Sequence, residues 1–386
     1  MPNANYNYPT SVRFGPGRAG ELAAMCAELG IEKPLLVTDP GLAAMPMIAD
    51  IVGQLAAEGL GVKVFADIRP NPVGENIEKG AEVFRSGKMD GVIAIGGGSA
   101  LDAGKVIAMM AGQERPLWDF EDVGDNWTRA NAEAIAPIIA VPTTAGTGSE
   151  VGRAGVITNA ETHEKKIIFH PKLMPSIAVL DPELTVGLPA GLTAATGMDA
   201  LSHNLEAYCA PGFHPMADGI AVEGIRLVKE NLETAVKEPE NIEARGKMLM
   251  ASAMGATAFQ KGLGGMHALA HPLGGVYDAH HGMLNAILMP YVLKANRPAI
   301  EERFKRLAAW LGLEDGFEGV LEWVLELRKA IGIPNSLAEI GIGDDRLEEI
   351  AAMAVKDPSA GGNPIPFGEK EYLEIVTKAQ KGDLQA

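Results

Sequence analysis

The feature that most narrows the fold of this chain is a change of pattern near Asp181-Pro182. Before it, short apolar runs without polar alternation recur at 34–38 (PLLVT), 62–66 (VKVFA), 91–95 (GVIAI) and 135–141 (IAPIIAV). Runs of this kind suit strands buried on both faces of a parallel sheet. Helical patterns separate them, at 42–58, at 76–86 and from 100 to 111. Further strands are expected at 156–157, 166–169 and 177–180. Alternating strand and helix argues for βαβ units in a doubly wound sheet. From residue 188 onward the pattern is helical, with helices predicted at 193–208, 215–236, 242–259, 283–295, 300–311 and 317–331. Breaks fall at Pro211-Gly212, Glu238-Pro239, Gly312 and Gly332-Ile333-Pro334. The expected organisation is an α/β dinucleotide-binding (Rossmann-like) domain over residues 1–184, then an all-α domain over 185–386.

Composition sorts the class of partner. A hydrophobic content of 47% supports a sizeable core in a chain of 386 residues. The formal net charge of −17 argues against nucleic acid or an anionic membrane as partner. No run is long and apolar enough to span a bilayer. The polar start, 1–10, does not read as a signal peptide. Cys26 and Cys209 read as free thiols of a reducing, cytoplasmic compartment. The expected partner is a small molecule, and the segment around 11–14 is a candidate edge for a homodimer or higher homo-oligomer.

Two turns carry phosphate-binding character. The strand at 91–95 runs into Gly96-Gly97-Gly98-Ser99 and then a helix bearing Asp102 and Lys105. Glycines let a ligand approach the backbone, and a helix start offers free N–H groups and partial positive charge. The spacing is neither a Walker loop nor GxGxxG. A second turn, PTTAGTGSEV at 142–151, follows the next strand on the same sheet edge, where α/β proteins bind ligands. Asp39 lies just past the strand at 34–38. It reads equally as an acceptor for an adenosine ribose, favouring NAD over NADP, or as the N-cap before Pro40.

The helical half carries the reactive side chains. Of the chain's eight histidines, His267, His271, His280 and His281 crowd into one stretch. Upstream, Asp199 and His203 stand at i and i+4, on one face of a helix, spacing suited to one ion. Asp199, His203, His267 and His281 are the expected metal ligands, with His280 as a competitor for His281. His271, one turn past His267, is the candidate proton carrier.

These segments together resemble the iron-dependent, or group III, alcohol dehydrogenases, over nearly the whole length. The resemblance implies a dehydroquinate-synthase-like architecture and the ligand set just named. It implies that Gly97, Gly98 and Ser99 hold the pyrophosphate of NAD, with Asp102 on the following helix counted in the cofactor set. Thr143 and Thr147 lie near the adenine and nicotinamide parts, with Thr144 beside them, and Lys165 reaches the nicotinamide ribose. The chain departs from the family pattern at Ala154, where many relatives place Asn, and at Phe259-Gln260-Lys261 before His267. That second segment is expected to face the substrate pocket, with Phe259 as an apolar wall. Lys261 is either partner to a substrate carboxylate or solvated.

The expected activity is reversible hydride transfer between a primary alcohol, including a diol or ω-hydroxy acid, and NAD. A divalent ion serves as Lewis acid. Fe(II) is the expected metal, with Zn(II) and other divalent ions suited to the same ligands. The alternatives are a hydroxyacid-oxoacid transhydrogenase and a lyase of the dehydroquinate-synthase type.

Overall fold

The structure, a computed structural model, describes residues 10–162 and 164–385; residues 1–9 of the polar start lie outside them. The chain divides into two compact units, with the division between Gly187 and Leu188.

In the first unit the strands are β1 (Ser11–Phe14), β2 (Pro34–Val37), β3 (Lys63–Phe65), β4 (Gly91–Gly96), β5 (Ile138–Pro142), β6 (Ala154–Thr158), β7 (Lys165–Phe169) and β8 (Ile177–Leu180). Six of them form a sheet in the order β1-β8-β5-β4-β2-β3, and every pairing in it is parallel. β6 and β7 make a separate antiparallel ribbon.

The apolar runs are buried on both faces. Leu35, Val37, Val92, Ala94, Ile138 and Ala140 join one core cluster, while Leu36, Ile93, Ile95, Ile139 and Val141 join the other. Successive strand residues point to opposite faces, so a sheet covered on both sides needs apolar residues at every position. The covering helices are α1 (Leu22–Leu29), α2 (Pro40–Ala43), α3 (Pro46–Ala57), α4 (Gly74–Gly87) and α5 (Gly98–Met110). The single helix predicted over 42–58 is two, because Pro46 opens a new helix at its first position, where its missing N–H costs nothing.

The chain leaves β2 toward β3 on one side and leaves β4 toward β5 on the other. β2 and β4 are neighbours, so their carboxyl ends flank the point where the winding reverses, the usual ligand crevice of such sheets. Asp39 lies just past one of these strands and Gly97 just past the other, each capping the helix that follows.

The second unit is helical: α6 (Ala190–Cys209), α7 (Pro215–Lys237), α8 (Ile242–Ala258), α9 (Gly265–Tyr277), α10 (His281–Leu311), α11 (Phe317–Ala330), α12 (Leu347–Ala354) and α13 (Glu369–Lys381). The two helices predicted at 283–295 and 300–311 are one. α10 continues through Pro290 and Pro298, although each proline removes an N–H from the ladder. Burial of Leu293, Asn296 and Ile300 on a shared side carries the helix past the second proline.

Candidate metal centre and cofactor loop

α6 is buried along most of its length, including its polar residues Asp199, Ser202, His203, Asn204 and Glu206. A buried polar stripe must find partners. Ser202 and Asn204 donate to backbone carbonyls of α6 and α8, while Asp199, His203 and Glu206 meet α9 and the start of α10. At Gly282 a Cβ would stand 2.4 Å from the carbonyl oxygen of Ala195 and 3.1 Å from Cβ of Asp199. Only glycine lets the first turn of α10 lie this close to α6, and that approach sets His281 beside Asp199.

One ligand atom from each of Asp199, His203, His267 and His281 lies within 4.8 Å of the other three. The rings are nested: His203 and His267 stack at 4.7 Å between centroids, and His267 and His281 lie at 5.2 Å. His281 Nε2 is 3.6 Å from Asp199 Oδ1. His280 does not join them; it caps α10, its Nδ1 accepting from the N–H of Met283 at 3.4 Å.

The donor set fits a cation. Three imidazoles and a carboxylate face one another, and burial drives the His267 imidazole well below its usual pKa, toward the neutral form a metal takes. Asn285 adds one amide nitrogen, 2.9 Å from Asp199 Oδ1 and 3.2 Å from Nε2 of both His267 and His281. One amide has two protons for these three acceptors.

Sequence reasoning missed the carboxylates behind two of the imidazoles. Glu206 Oε2 lies 2.7 Å from Nδ1 of His267, and the same carboxylate accepts the N–H groups of Gly264 at 2.7 Å and Met266 at 2.6 Å. Burial pushes its carboxyl up to about 7 in spite of these donors. Asp357 Oδ2 lies 2.8 Å from Nδ1 of His271. Burial alone would raise the Asp357 carboxyl; the bonds from His271 and Ser359 outweigh it and hold it below the usual range. A signal for Glu206 was present: Asp199, His203 and Glu206 stand at i, i+4 and i+7, one stripe of a helix.

The pocket segment divides. Phe259 sits against the cluster, its ring 5.3 Å from that of His203. Lys261 needs correction. It is neither solvated nor free for a substrate carboxylate. Its side chain is 2% exposed, and its ammonium bonds Asp218 Oδ1 at 2.5 Å and the Tyr208 carbonyl at 3.2 Å. Arg303 approaches the same Asp218 oxygen at 3.3 Å. A desolvated ammonium requires an anionic partner, and a chain carboxylate has filled that place.

In the first unit, Gly96 has φ 149°, in the region that favours glycine, and a Cβ there would meet that of Ala100 at 2.7 Å. Gly97 caps α5 and Gly98 opens it. The N–H groups of Gly98 and Ser99, in the first turn, have no carbonyl to bond within the helix. A Cβ on Gly98 would meet Thr147 at 2.6 Å, and one on Gly97 would meet Thr144 at 3.5 Å. The two polar turns therefore adjoin. Thr143 is buried, its N–H on the Gly96 carbonyl at 3.0 Å.

This arrangement fits a pyrophosphate through backbone donors rather than side chains. The Ser99 hydroxyl is spent on the Pro70 carbonyl. Asp102 is a correction to the cofactor set. Its oxygens accept from Ser149 Oγ at 2.5 Å and Val156 N at 3.0 Å and pair with Lys105 at 3.2 Å, so it fastens the 142–151 turn to α5. Asp39 caps α2, accepting from the Leu42 N–H at 3.0 Å, while its other oxygen lies 3.6 Å from a Cβ built on Gly96. The capping role and a place beside the glycine loop are thus both realised. Lys165 opens β7, opposite Thr158.

The chain matches the model described as "Iron-containing alcohol dehydrogenase" over residues 9–182, and that of the "Fe-containing alcohol dehydrogenase family, C-terminal" over 193–380. The chain belongs to the iron-containing alcohol dehydrogenase family. This dehydrogenase is 39% identical to the 4-hydroxybutyrate dehydrogenase of Cupriavidus necator, over 96% of its own length and 98% of that protein's. It superposes on a crystal structure of a 1,3-propanediol oxidoreductase with a TM-score of 0.93 at 38% identity, covering 98% of this chain and 100% of that one. A sulfoacetaldehyde reductase from Bifidobacterium kashiwanohense, solved in complex with NAD+, matches with a TM-score of 0.90 at 29% identity, covering 98% and 99%. The dehydrogenase is thus an oxidoreductase of alcohols, not a lyase on a similar framework. No helix among its described residues is long and apolar enough to cross a membrane.

Proposed function

We propose that this dehydrogenase interconverts a short, uncharged primary alcohol or terminal diol with its aldehyde, using NAD and one divalent ion held by Asp199, His203, His267 and His281. The observation that carries the reading is the convergence of those four side chains within 4.8 Å. When bound, the ion supplies Lewis acidity that favours the deprotonated alcohol, and the nicotinamide takes the hydride.

The chain's own residues do the rest. Glu206 fixes the ring of His267, Phe259 offers an apolar wall, and His271 takes the alcohol proton. The N–H groups of Gly98 and Ser99, with Gly97, receive the pyrophosphate; Thr143, Thr144, Thr147 and Lys165 line the cofactor. Asp39 beside Gly96 favours NAD, because its charge repels a 2′-phosphate.

The preference for a neutral substrate rests on Lys261, which is buried and bonded to Asp218, a carboxylate it shares with Arg303. The hydroxybutyrate-acting relative supports a second reading, an ω-hydroxy acid. NADH absorbance with Fe(II)- or Zn(II)-loaded enzyme on 1,3-propanediol and 4-hydroxybutyrate separates them. A higher kcat/KM on the diol is expected; a higher one on the acid overturns the neutral-substrate reading.

A homodimer through β1 is also proposed. β1 is an edge strand of the sheet, with Val12 and Phe14 exposed. A cytoplasmic location fits the two buried, free cysteines.

A further inference from the structure

The segment between α12 and α13 is fastened to α9 at successive points. The carboxylate of Asp357 is bonded to Nδ1 of His271 at 2.8 Å across 86 residues of sequence. Six residues on, Asn363 Oδ1 accepts the N–H of Gly265 at 3.0 Å, at the first residue of α9. Between them Gly362 packs on Leu263, so closely that a Cβ would stand 2.1 Å from its carbonyl oxygen. Asp357 is itself held, its Oδ1 accepting the N–H of Ser359 at 2.8 Å. The ring it reaches lies flat on His281, 5.3 Å between centroids and 12° between planes.

We propose that Asp357 is a positioning residue for the reaction: it keeps the His271 proton on Nδ1 and aims Nε2 at the alcohol. A neutral imidazole carries one proton, and the hydrogen bond made by one nitrogen decides which nitrogen is left as acceptor. A carboxylate only accepts, so it demands Nδ1–H. In the oxidation, the O–H bond of the alcohol breaks and its proton goes to Nε2. The carbinol C–H leaves as hydride to NAD+, which becomes NADH, and the C=O bond forms. The ring then holds two protons, its charge matched by Asp357, and returns one to solvent.

This rests on His271 as proton carrier, so the test includes His271→Ala. The informative change is Asp357→Asn. Asn keeps an oxygen for the Ser359 N–H, but its NH2 now faces Nδ1 and donates to it. The proton moves to Nε2, which can no longer accept.

The experiment uses metal-loaded enzyme with whichever alcohol of a C2–C6 panel turns over fastest, plain and deuterated at the carbinol carbon, in H2O and D2O. For Asp357→Asn a fall in kcat of about 100-fold is expected, the low end of what a positioned proton acceptor contributes. Metal content and the KM for NAD stay unchanged. The solvent isotope effect on kcat rises and the substrate isotope effect shrinks, because proton transfer has become the slow step.

A kcat within threefold of wild type overturns the proposal, and so does a large loss with both isotope effects unmoved, which marks a merely structural role. If His271→Ala keeps wild-type turnover, the proton-carrier reading itself fails. If His271→Ala is impaired while Asp357→Asn is not, only the role of Asp357 fails.

Discussion

Glu206 Oε2 lies 2.7 Å from Nδ1 of His267, and both residues are buried. The bond fixes the ring so that Nε2 is the nitrogen turned toward Asp199, His203 and His281. The same carboxylate takes the N–H groups of Gly264 and Met266, so one side chain shapes the entry to α9 and aims its first imidazole.

Glu206→Gln therefore weakens metal binding. Both carboxylate oxygens accept N–H donors, and an amide sets its own NH2 against one of them. Metal affinity is expected to fall roughly 10–100-fold, the usual consequence of losing a partner behind a ligating histidine. Titration of metal-free protein with Co(II), followed by its visible absorption, reads this directly. Unchanged affinity would show that Glu206 serves the backbone alone.

Gly98→Ala tests the cofactor loop. The added Cβ meets Thr147 at 2.6 Å, closer than van der Waals contact allows, where the two polar turns adjoin. Either turn must shift, and the first N–H groups of α5 shift with it. The KM for NAD is expected to rise about 10-fold, equivalent to roughly 1.4 kcal/mol, with metal content unchanged. An unchanged KM would remove the loop from cofactor binding.

Glu150 gives a pH dependence of stability. It is 1% exposed, its Oε1 has no hydrogen-bond partner among the described residues, and burial pushes its carboxyl up to about 7, against the pull of its backbone bond and of Lys105. Between the unfolded value near 4.5 and the folded value near 7, the native state binds the extra proton, so stability falls as pH rises. Glu150→Gln removes that loss. In urea unfolding its advantage over wild type is expected to grow by roughly 3 kcal/mol from pH 4.5 to pH 8. A pH-independent difference would show that the carboxyl titrates normally.

Much of the fold was legible because it rests on local rules. The runs at 34–38 and 91–95 read as buried strands, since both faces of a covered sheet demand apolar residues. The glycine loop and the Asp199–His203 pair were legible because a turn and a helix set those spacings. What escaped is long-range. Glu206 reaches His267 across 61 residues, its helix stripe with Asp199 and His203 not naming that partner, and Asp357 reaches His271 across 86 with no local pattern to announce it. Nothing near Lys261 in sequence shows its partner, because Asp218 lies 43 residues away on α7. The resemblance counts Asp102 with the cofactor set, while its bonds to Ser149 and Val156 depend on how the later turn folds back. α10 ran through Pro298 because burial of its neighbours outweighed the local cost of the proline.

In the proposed function, Asp199, His203, His267 and His281 hold one divalent ion needed for turnover. Metal analysis of purified wild type and His267→Ala, alongside NADH formation, tests it most directly. Wild type is expected to hold about one divalent ion per chain, and the variant to lose both metal and turnover. A metal-free His267→Ala enzyme that oxidises alcohol at the wild-type rate would contradict it.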